Sequence, residues 1–174
     1  MNIEAIEIGN ESCLGSYTCA EIAMDLEGLD FRNLLIGNAV CIEDEACSQI
    51  ALEARDLVNI TIQDGACVGL EACAYMADSA DSLVSITILD GACIGDRACE
   101  NLAYDADNVV DITILAGACN ATEDACQFAV QGNDDARSVT VPALQCTAAA
   151  NICQDCFRNN GVAGDLILNN TNCV

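Results

Sequence analysis

The sequence predicts an α/β solenoid of seven coils, each about 26 residues, with one parallel sheet, short helices and disulfide staples. Three observations predict it. Cysteines recur as Cys13, Cys41, Cys67, Cys93, Cys119, Cys146 and Cys173, at steps of 28, 26, 26, 26, 27 and 27. A second series, Cys19, Cys47, Cys73, Cys99, Cys126 and Cys153, trails it by six or seven residues. An aliphatic pair stands at the same distance ahead of every leading cysteine. Self-similarity at a fixed period of this length is the signature of a stacked repeat, so residues 1–174 are read as one solenoid.

Each coil is numbered with its leading cysteine at position 11. Positions 4 and 6 are then Ile6/Ile8, Leu34/Ile36, Ile60/Ile62, Ile86/Ile88, Ile112/Ile114, Val139/Val141 and Leu166/Leu168. Alternating branched aliphatics, closed by turn-forming Asp and Gly, read as a short strand. Seven strands stacked at about 4.8 Å would make one parallel sheet. The residue between the pair faces outward; Thr61, Thr87, Thr113 and Thr140 form that column, flanked by Asn59, Ser85, Asp111 and Ser138.

The second half of the coil changes period. Cys47/Ile50/Ala51/Ala54, Cys73/Met76/Ala77/Ala80 and Cys99/Leu102/Ala103/Ala106 follow the i, i+3, i+4, i+7 spacing of one helix face. Acids (Asp44, Glu45, Glu71, Asp96, Glu123, Asp124) open this stretch, where they suit the positive end of a helix dipole. Asp78, Asp81, Asp105 and Asp107 sit at the unfavourable end, so the helices are expected to be short.

These residues resemble the leucine-rich repeat, in its cysteine-containing 26-residue variety. Leu57-x-x-Ile60-x-Ile62-x-x-Gly65-x-Cys67 and Leu83-x-x-Ile86-x-Ile88-x-x-Gly91-x-Cys93 follow its spacing, and Leu102-Ala103 and Ile50-Ala51 match its later Leu-Ala pair. The family's asparagine ladder is missing, because position 9 is Glu11, Ala39, Gly65, Gly91, Gly117, Leu144 and Thr171. The C-x-G-x-x-A-C signature, as CVGLEAC and CIGDRAC, also looks like uncharacterised cysteine-repeat proteins of marine microalgae, which implies secretion and no known activity. A right-handed parallel β-helix of similar coil length is the rival fold.

The cysteine series predict in-coil pairs: Cys13–Cys19, Cys41–Cys47, Cys67–Cys73, Cys93–Cys99, Cys119–Cys126 and Cys146–Cys153. Cys156 and Cys173 remain, either bonded to each other to close the last coil or linked to a neighbouring molecule. Fourteen cysteines and no histidine favour a disulfide scaffold over zinc, hence an oxidising compartment: secreted, lumenal or cell-surface. Sequons at Asn10, Asn59, Asn120 and Asn169 agree with a glycoprotein. No apolar run is long enough to span a bilayer, so membrane insertion is not expected.

Charge narrows the partners. Twenty-eight acids face five arginines, for a formal charge of −23. Nucleic acid is an unsuitable partner, since phosphate binding needs a basic footprint. The chain has no His or Lys to act as base or nucleophile, and Arg32 and Arg137 lie several coils apart. The reading is therefore not an enzyme. No cofactor is expected, although Asp64 and Asp90, stacked beside Gly65 and Gly91, leave Ca²⁺ open; Ala116 and Ala143 interrupt that column.

The expected function is a structural or adhesive solenoid, self-associating end to end as a filament or array subunit. No capping segment is visible at either end, which fits assembly or a piece of a longer chain. Two alternatives stand beside it: a protein- or glycan-recognition module using the strand face, and an ice-binding surface built on the threonine column.

Overall fold

The computed structural model describes residues 4–18, 32–47, 58–73, 84–99, 110–123, 125–126, 138–143, 147 and 165–167. Strands β1 (Glu4–Ile8), β2 (Arg32–Ile36), β3 (Val58–Ile62), β4 (Val84–Ile88), β6 (Val110–Ile114), β8 (Ser138–Val141) and β9 (Asp165–Ile167) form one seven-stranded sheet. All neighbours are parallel and in chain order. The aliphatic at position 4 aligns from Ile6 through Leu34, Ile60, Ile86, Ile112 and Val139 to Leu166. Slipping one residue would turn the aliphatic pair outward. The repeat therefore fixes the register.

The interior is as small as the composition requires. Ile60, Ile62, Ile86, Ile88, Ile112 and Ile114 are fully buried against Ala66, Ala92 and Ala118 at position 10, Ala72, Ala98 and Ala125 later in the coil, and the disulfides. Alanine and cystine let opposing backbone segments approach closely, where leucine-sized side chains would hold them apart.

Five of the seven strands bend within themselves. Position 3 has a left-handed backbone in five coils: Ala5 (φ 72°), Asn33 (60°), Asn59 (61°), Ser85 (69°) and Asp111 (55°). Four of these are short polar residues, and Asn and Asp tolerate this region better than most side chains. The pairing accordingly runs from position 2 to position 4, as Val58↔Val84 and then Ile60↔Ile86. The column Asn59, Ser85, Asp111 is thus a row of kinks beside the threonines.

Beyond the strand, hydrogen bonding between coils continues through the turn. Gly9, Gly37, Gln63, Leu89 and Leu115 donate N–H groups to position 6 of the following coil, at 2.7–2.9 Å. Ala39, Gly65, Gly91 and Gly117 donate back to position 8 of the preceding coil, at 3.0–3.2 Å. Further on, Glu45, Glu71 and Arg97 donate back to position 14, and Cys47, Cys73 and Cys99 donate forward to the alanine before the next trailing cysteine: Ala72, Ala98 and Ala125. Few backbone groups can stay unpaired in so narrow a body, and this alternation pairs these groups between neighbouring coils.

A second parallel ladder lies on this part of the coil. Bridges join Leu14 to Ile42, Ile42 to Val68 and Val68 to Ile94, and β5 (Ile94–Asp96) pairs with β7 (Asn120–Glu123). The sequence assigns the opening of a helix here, and the structure differs. Asp96 and Glu123 lie in strands, Asp44, Glu45 and Glu71 lie in turns, and the described residues contain no helix. The physical reason is a left-handed residue at almost every second position, such as Cys93 (φ 55°), Gly95 (122°), Arg97 (55°) and Cys99 (63°), which no α-helix accommodates. The proposed helix positions beyond Cys47, Cys73 and Cys99 lie outside the described residues, as do Asp124, Leu168 and the helix-end acids.

Candidate functional site: the disulfide column and the outer sheet face

Four in-coil disulfides are present: Cys41–Cys47, Cys67–Cys73, Cys93–Cys99 and Cys119–Cys126, with Cα atoms 5.5–5.7 Å apart. All eight of these cysteines are fully buried. Cys13 is disulfide-bonded as well and is half-buried; Cys19, the partner expected for it, lies outside the described residues, with Cys146, Cys153, Cys156 and Cys173. No described cysteine is free. Each bridge ties the strand's exit to a point six or seven residues later, within the buried interior. The Sγ atoms of Cys99, Cys119 and Cys126 lie within 4.8 Å of one another. Oxidised sulfur is not a thiolate ligand, so the cluster is a disulfide contact. Buried, regularly placed disulfides belong to an oxidising setting.

On the outer face, Thr61, Thr87 and Thr113 align in register with Thr140, and all four are half-buried. Leu35 precedes them in the column and Ile167 follows. Asn59 is half-buried in β3, and its Oδ1 accepts a hydrogen bond from Asn33 Nδ2 at 3.0 Å. Among the other sequons, Asn10 is exposed in a turn and Asn120 is exposed at the start of β7. Asn169 lies outside the described residues.

The stacked turn residues at position 8 have a role the sequence reading missed. Asn38 Oδ1 accepts the Asn10 N–H at 2.9 Å, and Asp64 Oδ1 accepts the Asn38 N–H at 2.7 Å. Position 14 repeats the device: Asp44 Oδ1 takes the Ser16 N–H at 2.8 Å, and Asp96 Oδ1 takes the Leu70 N–H at 3.2 Å. Asp64 therefore satisfies the neighbouring coil's backbone. Asp90 is the exposed residue at the same position one coil on. The signal was available as Asn10, Asn38, Asp64 and Asp90 in four consecutive coils, since Asn and Asp commonly bond nearby backbone in turns.

Arg97 Nε and Glu71 Oε2, at position 15 of adjacent coils, are 3.9 Å apart. An exposed pair at this distance contributes about 1 kcal/mol at most. No helix among the described residues is long and apolar enough to cross a membrane.

Together, an in-order parallel sheet and regularly spaced buried disulfides define a cysteine-rich repeat solenoid. No protein-family model, curated protein or solved structure matches the chain.

Proposed function

We propose that the chain is a non-enzymatic structural solenoid of an extracellular or otherwise oxidising compartment, which associates coil edge to coil edge. One observation carries the reading. In the first coil the inward residues Ile6 and Ile8 are 41% and 51% exposed, whereas Leu34, Ile36, Ile60 and Ile62 are exposed by 1% or less. The edge offers backbone groups in the repeating pattern that each coil offers its neighbour. A coil of the same geometry, on another molecule or elsewhere in a longer chain, would bury those side chains and pair that edge. Two parallel ladders per coil favour a parallel β-helix over the leucine-rich-repeat arrangement for the finer fold.

Sedimentation velocity across a concentration series tests the association. The reading expects species that grow with concentration, and Ile6→Arg/Ile8→Arg to hold the protein at its smallest size. Constant size for the parent protein at every concentration would contradict it. The in-register threonine column supports a second reading, binding of a periodic ligand such as a glycan chain or ice. Thermal hysteresis with faceted ice crystals would favour ice; retention on an insoluble polysaccharide, lost in Thr87→Lys, would favour the glycan.

A further inference from the structure

We propose that the stacked disulfides of adjacent coils form a thiol–disulfide exchange site, so that a reduced cysteine in one coil passes its reduction to the next. The motivating geometry is the contact of Cys99 Sγ with both sulfurs of the Cys119–Cys126 bridge, all within 4.8 Å. Cys93, Cys99, Cys119 and Cys126 are fully buried, so an external thiol reaches them only when a coil opens locally, whereas a neighbouring coil's sulfur is already in place. Exchange requires a thiolate near a disulfide sulfur, and holding the two side by side replaces a bimolecular encounter with an internal step.

The chemistry balances without an external oxidant. With the Cys93–Cys99 bond opened by a dithiol reductant, which itself cyclises to a disulfide, both cysteines are thiols. Cys99 loses its proton and attacks Sγ of Cys119 or Cys126. A Cys99–coil-five bond forms, the Cys119–Cys126 bond breaks, and the departing sulfur takes up a proton. Cys93 then attacks Cys99 Sγ, restoring Cys93–Cys99 and leaving Cys119 and Cys126 as the dithiol. One electron pair has moved one coil along the stack.

The test is the single variant Cys93→Ser, purified without reductant, quenched in acid, alkylated and mapped by non-reducing peptide mass spectrometry. The expected result is Cys99 linked to Cys119 or Cys126 as its main species, with the other coil-five cysteine alkylated. A second measurement covers a variant that fails to fold: the parent protein is opened with a limiting dithiol, then acid-quenched and mapped at intervals. There the expected intermediates carry the same Cys99 linkages and no others to Cys99 except Cys93. Recovery of Cys99 only as a free thiol or bonded to Cys93 would overturn the proposal. So would linkages from Cys99 scattered over distant coils, which signal exchange in the unfolded chain.

Discussion

At the residue scale, the coil depends on backbone conformations that most side chains avoid. Gly69 has φ +140°, and a Cβ there would sit 2.4 Å from the carbonyl oxygen of Gly95 in the next coil. Gly65 has φ +68° and open space around the same position. Gly65→Ala should therefore cost only the left-handed penalty of about 1 kcal/mol. Gly69→Ala should cost clearly more, because a coil-to-coil backbone contact must open. Denaturant midpoints of the two variants check the ranking, and equal shifts would contradict it. Glu43 occupies the position equivalent to Gly69 with φ drawn in to 96°, the adjustment an alanine would have to impose.

Asp64 gives a second residue-level prediction. Its carboxylate accepts the Asn38 N–H, as the Asn38 amide does for Asn10. Asp64→Ala should lower stability by about 1 kcal/mol, the usual worth of one hydrogen bond. Asp64→Asn should retain most of it, because an amide oxygen can do the same work. A calcium-dependent loss in Asp64→Asn, followed by thermal unfolding with and without the ion, would instead restore a metal role to this turn.

At the element scale, the strand half of the coil was legible in the sequence and the stretch between the paired cysteines was not. Strand positions follow from a period of two between fixed cysteines, so register, burial and in-coil pairing could be read together. The stretch after the leading cysteine was read as the opening of a helix from its acids and from the apolar spacing that starts at the trailing cysteine. Its left-handed residues include Cys93, Arg97 and Cys99, which carry no sequence mark for that conformation; only Gly91 and Gly95 hinted at it. Position 3 shows the same limit: Asn59 and Ser85 read as ordinary outward strand residues, and their kinks come from coil-to-coil bonding. The one-residue insertion in coil five was visible, since Cys119–Cys126 spans seven residues where Cys93–Cys99 spans six. It reappears as the register shift between β5 and β7.

The bridges are also an element-scale matter. Replacing Cys67 and Cys73 together by Ala removes one loop closure, worth about 2 kcal/mol for a loop this short, and empties fully buried volume beside Ala66 and Ala72. The loss should appear in the denaturant midpoint of the variant while the far-ultraviolet spectrum keeps its sheet signal. Loss of that signal would mean the column is needed to form the sheet as well as to hold it.

At the scale of the whole molecule, charge and edge oppose each other. A net charge of −23 resists bringing two copies together, while the exposed Ile6 and Ile8 favour it. Screening shortens the reach of the repulsion to about 8 Å at physiological salt. Association should therefore strengthen as sodium chloride rises from low to physiological concentration, measured by light scattering at fixed protein concentration. Weakening with salt would point to ion pairing as the cause of contact.

The chain is a stack of coils, and the proposed function has the stack continue across an interface between molecules. Cryo-electron microscopy of the oxidised protein over a concentration series tests it directly. It predicts slender particles with a repeat of about 4.8 Å along their length, lengthening end to end as concentration rises. Compact particles without that repeat, or rods of one fixed length at every concentration, would contradict it.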